Sequence, residues 1–286
     1  MLPAQRQARI IQQLQENGFV EISQLSAQFG ADRSTIRRDL QELALRGLVR
    51  RTRGGALAGP ASGHADIPYA VKRIEHTPEK QAIGRHAAAL VRDSEAVLLD
   101  SGSTTLQVAL ALRQRPDISV VTNDLNIAMC LAESPRIQLI VTGGILLESV
   151  YTLVGPRTVE ELRKLHVDRA FLGADAIHHE AGITNVTFVE VEVKRAMIAA
   201  AREVVVVADS SKFEHRALAL VCGLEEIDLV LTDNGLDPEI RRLYGDRLEC
   251  VALDTAGHAA QLEGPVHWAR RPQARELQVA AGRPLR

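Results

Sequence analysis

RSTIRRDLQELALRGLVRRTRGG, residues 33–55, divides one short amphipathic segment into a core-facing apolar stripe and an arginine-bearing face. With Ile36 as reference and an advance of about 100° per residue, Leu40 and Leu43 fall within about 40° of it and form the stripe. Ser34, Arg38 and Gln41 fall near the opposite side, with Arg37 on one flank. Arg46 closes the helix, Gly47 suits a left-handed C-cap, and a basic strand with Arg50, Arg51 and Arg53 follows. A helix that enters a DNA groove needs this division of faces. A solvated charged face shows it too, so the segment alone leaves both readings open.

The residues before it favour DNA. Arg9, Ile10, Ile11 and Leu14 read as one helix ended by Asn17-Gly18, and Ile22, Leu25 and Phe29 have the i, i+3, i+7 spacing of a second, short one. Gly30-Ala31 is the turn, and Asp32 suits the N-cap of the third helix, where its carboxylate also meets the positive end of the helix dipole. Helix, short helix, tight turn and helix is the helix-turn-helix order. The hairpin-like stretch Leu48–Leu57, with its tip at Gly54-Gly55, adds a wing.

At this point the chain resembles the DeoR family of bacterial transcription regulators. The match is carried by Ile22 through Phe29, the block Thr35-Ile36-Arg37-Arg38-Asp39-Leu40, Leu43, Gly47-Leu48 and Gly54-Gly55-Ala56. Asp32 stands in place of the family's usual serine cap, and Thr52-Arg53 where an aromatic residue or histidine often precedes the glycines. The DNA-contacting set is read as Ser34, Thr35, Arg37, Arg38, Gln41, Arg50, Arg51 and Arg53. Of these, Ser34, Arg38 and Gln41 are expected to reach base edges or nearby phosphates, and the wing arginines to hold the backbone.

The net charge of −2 hides an asymmetry. Residues 1–60 hold nine arginines and no lysine against five acids, about +4, which leaves the remainder at about −6. A basic head on an acidic body suits DNA binding by the head alone. Cys130, Cys222 and Cys250 lie far apart in apolar surroundings and read as buried core thiols, with a metal site or disulfide as the alternatives. Arg6 and Arg9 alternate with glutamines where a signal peptide would need an apolar run, and no uncharged stretch approaches the ~20 residues of a membrane span. A soluble cytoplasmic protein is expected.

Residues 1–57 are therefore read as a winged helix-turn-helix domain. Ala58 to Gly63 is small-residue and turn-rich and reads as a hinge, followed by an extended passage to Pro78, so that 58–77 is the linker. A helix with Ile83, Ala87 and Leu90 on one face opens a second domain, 78–253. There, apolar β-branched runs alternate with helical stretches: Val97–Asp100, Ser119–Asn123, Gln138–Gly143, Ala170–Ala174, Val204–Asp209 and Leu229–Asp233. That alternation predicts an α/β domain with a mostly parallel sheet covered on both faces. Residues 254–286 lack periodicity and read as a partly disordered tail.

The strand ends collect polar groups: Asp100-Ser101-Gly102-Ser103-Thr104-Thr105, Thr122-Asn123-Asp124, Thr142-Gly143-Gly144, Gly173-Ala174-Asp175, Asp209-Ser210-Ser211-Lys212 and Thr232-Asp233. Ligands of open α/β sheets bind outside the carboxyl ends of the strands, although the same residue types also turn and cap chains. The Asp100–Thr105 loop is the phosphate candidate, since Gly102 permits close backbone approach and a helix N-terminus follows. Lys212 supplies positive charge or is a surface lysine. Neither GxxxxGKS/T nor GxGxxG occurs, so nucleoside triphosphates and dinucleotides have no motif support.

Residues 78–253 also resemble the family's C-terminal sensor domain, through Glu79-Lys80, the loop at 100–105, 122–124, 142–144, Leu172–Asp175, Val193–Met197 and 208–213. The resemblance implies a ribose-5-phosphate-isomerase-like fold that responds to phosphorylated sugars. It implies phosphate held by Ser101, Gly102, Ser103 and Thr104, and a sugar pocket lined by Asn123, Asp175 and Lys212. Asp100, Thr105, Gly143 and Gly144 complete the strand-end set. Glu190 and Lys194, at i and i+4, reach the pocket mouth or form a surface ion pair.

An isomerase or deaminase with Asp175 or Glu190 as base is the competing class. The segment Leu172-Gly173-Ala174-Asp175-Ala176 lacks the first Asp and the Glu of the isomerases' DGADE motif, and no KGGG-type segment follows. The expected function is a repressor of a carbohydrate operon, released from double-stranded operator DNA by a phosphorylated sugar. It is expected to work without catalysis, cofactor or metal, as a homodimer or homotetramer away from the membrane.

Overall fold

The computed structural model describes residues 3–45, 48–58, 69–115, 117–147 and 150–253. The readings placed on Arg46 and Gly47, on most of the hinge and on the tail lie outside these residues. In the head, α1 (Pro3–Asn17), β1 (Phe19–Glu21), α2 (Ile22–Phe29), α3 (Arg33–Leu45), β2 (Val49–Arg51) and β3 (Gly55–Ala58) follow in order. Gly30 ends α2 in the left-handed region at φ 58°, its N–H donating to the Ser26 carbonyl. The carbonyl of Asp32 then receives the amides of Thr35 and Ile36 to start α3. Ile36, Leu40 and Leu43 are buried together with Ile10, Leu14, Ile22, Leu25 and Val49, so the stripe faces the core as its spacing predicts.

β1 was not foreseen. It pairs antiparallel with β3, which pairs with β2, so the wing is a three-stranded sheet. Gly55 is required at that contact: a Cβ there would lie 1.8 Å from the carbonyl oxygen of Val20, and the backbone has nowhere to yield.

The second domain contains α4 (Tyr69–Ile74), α5 (Thr77–Ala89), β4 (Ala96–Leu99), α6 (Ser103–Leu112), β5 (Ile118–Thr122), α7 (Leu125–Leu131) and β6 (Ile137–Val141). Then come β7 (Ile145–Leu147), β8 (Thr152–Val154), α8 (Pro156–Leu162), β9 (Val167–Leu172), β10 (Ala176–His178), β11 (Gly182–Asn185) and α9 (Val191–Ala200). β12 (Ala201–Val207), β13 (Ala219–Cys222), β14 (Leu229–Asp233), α10 (Pro238–Tyr244) and β15 (Leu248–Val251) complete it. Residues 69–74 are thus helical, which corrects the extended passage expected before Pro78. Lys80 closes this short helix from α5, its ammonium group donating to the carbonyls of Lys72 and Glu75.

Seven strands form one wholly parallel sheet in the order β15-β14-β12-β9-β4-β5-β6. All six foreseen runs lie in it, and β15 adds an edge strand. Alternate residues serve opposite faces. Val97, Leu99, Phe171, Val205 and Val207 pack with α5, α6 and α7, while Leu98, Ala170, Leu172, Val204 and Val206 pack with α8, α9 and the small antiparallel sheet β10-β11-β13. Burial on both faces is why the strands read as continuous apolar runs. From β4 the chain works outward through β5 and β6; from its neighbour β9 it works the other way through β12, β14 and β15. The carboxyl ends of β4 and β9 therefore flank the switch point, where open sheets hold ligands. Among the described residues no helix is long and apolar enough to cross a membrane.

Candidate functional sites: an arginine-faced helix and a switch-point pocket

An ion pair ties the inner side of α3 to α1. Asp39 is buried and accepts two bonds from the Arg6 guanidinium of α1, one of them at 3.1 Å from Nη2. Gln7 joins the pair to Glu42 at 2.7 Å. The Asp39 hydrogen bond raises the pKa of Arg6 further and keeps its charge in place. With the inner face committed, Ser34, Arg37, Arg38 and Gln41 are exposed, and Thr35 is half-buried. In the wing Arg51 and Arg53 are exposed and Arg50 half-buried. The eight residues assigned to DNA thus lie on α3 and the wing hairpin, and of the charged ones all but Arg50 are open to solvent. The buried Asp39–Arg6 pair escaped the sequence reading, because an aspartate between arginine and leucine does not announce which face it occupies.

The pocket lies at the ends of β4, β9 and β12. Ser101, Gly102, Ser103 and Thr104 line it from the loop into α6, Gly173, Ala174 and Asp175 from the end of β9, and Asp209, Ser211 and Lys212 from the end of β12. Glu190 and Lys194 enter from α9, and Tyr69, Lys72, Glu75, His76 and Lys80 from α4 and α5. Eight of the foreseen effector residues therefore share one cavity: Ser101, Gly102, Ser103, Thr104, Asp175, Glu190, Lys194 and Lys212.

Five do not. Asp100 lies beneath the cavity floor, and Thr105 is buried with its hydroxyl on the Gly102 carbonyl at 2.9 Å. Asn123 is spent on Thr152 Oγ1 at 2.8 Å and the Leu153 carbonyl at 3.0 Å, tying β5 to β8. Gly143 donates to Glu161 at 2.7 Å and accepts from Thr158 at 2.7 Å, so it docks α8, and a Cβ on Gly144 would collide with Thr158. These strand ends brace the fold instead of facing the cavity.

The charges inside are arranged in pairs. Lys194 is almost fully buried and donates to Asp100 and, at 2.9 Å, to the Gly173 carbonyl. Burial opposes its charge, but Asp100 and Glu190 outweigh it and the pKa ends up raised. A surface ion pair of Glu190 with Lys194 is thereby corrected: Glu190 instead accepts from Thr187 at 2.6 Å and Asn185 at 3.3 Å. Burial lifts the Glu190 carboxyl. Burial works the same way on Asp175, yet Lys72 at 2.9 Å and the Val186 amide at 3.1 Å hold that carboxyl below its ordinary value. Lys80, lowered to about 8 by burial, stands 3.9 Å from Asp209.

Two features are unfilled. α6 begins at Ser103 with no side-chain cap, so its first amides face the cavity with the positive end of the helix dipole. The ammonium group of Lys212, which lines the cavity, makes no hydrogen bond or ion pair among the described residues. Together they suit an anion. Three buried atoms of cavity-lining residues also have no hydrogen-bond partner among the described residues: Tyr69 Oη, Asn185 Oδ1 and Asp209 Oδ2, the last facing Lys80 only at 3.9 Å. Two of these are acceptors and call for donors, as hydroxyl groups provide. Tyr69, Lys72, Lys80 and Asn185 were missed as site residues. Glu79-Lys80 was quoted only as a resemblance, and nothing in the spacing of 69–72 marks a helix.

The cysteines are free, but only Cys222 is fully buried, since Cys130 and Cys250 are partly exposed. Burial raises all three thiols, Cys222 to about 12.

A winged helix-turn-helix head joined to an α/β domain with a switch-point cavity defines a DNA-binding regulator that senses a small molecule. The sequence matches the DeoR-like helix-turn-helix domain over residues 6–59 and the DeoR C terminal sensor domain over residues 75–234. It is 35% identical over 241 residues to the HTH-type transcriptional regulator GlpR of Haloferax volcanii, covering 84% of this chain and 94% of that protein. It is 32% identical over 233 residues to the Glycerol-3-phosphate regulon repressor of Escherichia coli K12, covering 82% and 92%. Ribose 5-phosphate isomerase A of Methanocaldococcus jannaschii superposes with a TM-score of 0.36 and 20% identity over 47% of this chain and 53% of that one. The chain belongs to the DeoR family of transcriptional regulators.

Proposed function

We propose that this protein represses a carbohydrate-metabolism operon in the cytoplasm and leaves its operator when a phosphorylated sugar or related polyol phosphate fills the switch-point cavity. The observation that carries the proposal is the uncapped start of α6 beside Lys212, in the same cavity as the unsatisfied acceptors Asn185 Oδ1 and Asp209 Oδ2. Phosphate matches the first pair and hydroxyls the second.

On DNA, Ser34, Arg38 and Gln41 read base edges from the major groove with Thr35 and Arg37 at their flanks. Arg50, Arg51 and Arg53 hold phosphates. One head covers a short site, so at least a homodimer on repeated half-sites does the work, and a tetramer extends it. Residues 1–58 serve as the DNA-binding domain, 59–68 as the linker and 69–253 as the sensor, which α4 extends beyond the start expected at residue 78.

The test selects an operator from random duplex DNA and titrates the complex with pentose, hexose and glycerol monophosphates and with their unphosphorylated forms. Release by a phosphorylated compound alone, without its turnover, is the expected result. Release by the unphosphorylated compound, or conversion of the sugar phosphate, overturns the proposal.

A further inference from the structure

Tyr69 is the lining residue of the cavity that stands nearest in sequence to the DNA-binding head. It is the first residue of α4, and only residues 59–68 separate that helix from β3 of the DNA-binding head. Its side chain is 3% exposed, it lines the cavity, and its hydroxyl has no hydrogen-bond partner among the described residues. A buried hydroxyl left unpaired costs stability that a ring without it would not lose. The ring packs against Tyr151 in a T-shaped arrangement, 5.9 Å between centroids, which a phenyl ring makes equally well.

Polar ties join α4 to the rest of the sensor. Lys72 reaches Asp175 at the end of β9, and Lys80 of α5 closes the carbonyl end of the helix at Lys72 and Glu75. Both ties end on residues of the cavity wall. Across that wall are Asn185 Oδ1 and Asp209 Oδ2, whose vacant acceptor capacity faces hydroxyl donors. A polyol phosphate anchored at α6 and bonded to these acceptors meets α4 on the far side, where Tyr69 Oη is a buried group without a hydrogen-bond partner among the described residues.

We infer that the effector completes its hydrogen bonding on Tyr69 and so clamps α4, which makes this helix the element that conveys occupancy to the linker and the head. This rests on the proposed effector reading and adds the route by which it acts. A ligand bonded to both α4 and the strand ends adds a second bridge to the one Lys72 makes with Asp175. Bridging fixes the starting point of the linker and stabilises one arrangement of the chain over another, which is the differential affinity that coupling requires.

Tyr69→Phe removes the hydroxyl and keeps the ring, and Tyr151→Phe serves as control. The probe is whichever pentose, hexose or glycerol monophosphate most raises the Tm of the wild-type chain, with inorganic phosphate alongside. Tyr69→Phe should weaken probe binding about three- to tenfold by calorimetry, in line with one lost hydrogen bond. The ratio of operator affinities without and with probe should shrink toward one. Amide exchange at 69–76 should slow on probe binding in the wild type and slow less in the variant. Equal probe affinity and equal coupling in Tyr69→Phe would overturn the inference, as would unchanged exchange at 69–76 or an equal loss in Tyr151→Phe. If no probe binds the wild-type chain, the effector reading itself fails and this inference falls with it.

Discussion

Lys194 on α9 and Asp100 at the end of β4 are joined in a salt bridge whose side chains are 4% and 3% exposed. The pair spans the switch point, because the same carboxylate also accepts the Gly173 amide at the end of β9 at 2.9 Å. Removing one partner leaves the other charged, buried and uncompensated. Lys194→Met is expected to cost about 3–5 kcal/mol in urea unfolding, with the double variant Lys194→Met, Asp100→Asn losing less than the single one. A single variant as stable as the wild type would contradict the pairing.

The Arg6–Asp39 pair makes the corresponding prediction in the head, where its side chains are 9% and 5% exposed. Asp39→Ala should destabilise the head by about 3–5 kcal/mol and reduce affinity for all DNA. Because the cavity has no part in it, effector binding should remain at the wild-type level. Calorimetry and DNA titration on the same preparation separate the two effects.

The two groups of arginines should differ in kind. Arg51→Ala is expected to weaken binding to specific and random duplexes alike and to lower the magnitude of the salt slope by about one. Arg38→Ala should instead change the sequence preference of the selected operator. Equal losses on specific and random DNA for Arg38→Ala would withdraw its base-reading role.

Asp124 supplies a pH dependence. It caps α7 through the amides of Asn126 and Ile127 and also receives Gly102, while burial lifts its carboxyl from 3.8 to about 6. The folded chain therefore holds this proton more tightly than the unfolded one. Its contribution to stability grows as the pH falls from about 7 to about 4 and is lost as the pH rises back through the folded pKa. Asp124→Asn does not titrate, so the Tm difference between the two chains should shift in favour of the wild type on acidification. A difference constant with pH would refute the assignment.

Most of the architecture was legible because long periodic segments dominate it. The stripe of α3 and the six foreseen strands of the large sheet each repeat their pattern over enough residues to fix a face. β1 with three residues and α4 with six are too short for either period to show, and both form because of what they pack against. The cavity was half legible. The loop at 101–104, Asp175 and Lys212 stand where strand ends converge, whereas Asn123 and Gly143 carry the same residue types and turn away to hold β8 and α8. Composition at a strand end does not say whether a side chain caps a neighbour or meets a ligand. Lys194 and Asp39 were placed on surfaces or left without a role because their partners, Asp100 and Arg6, are 94 and 33 residues away.

The seam between β4 and β9 has a consequence for the order in which the molecule comes into being. The buried residues of the reader's core run only from Ile10 to Ala56, while Asp100 and Gly173, whose contact closes the cavity, lie 73 residues apart. On a ribosome the whole reader has emerged before the first strand of the sensor sheet, and the cavity is assembled only after β9 and β12 arrive. Each newly made chain therefore has the parts for holding DNA before it has those for being told to release it.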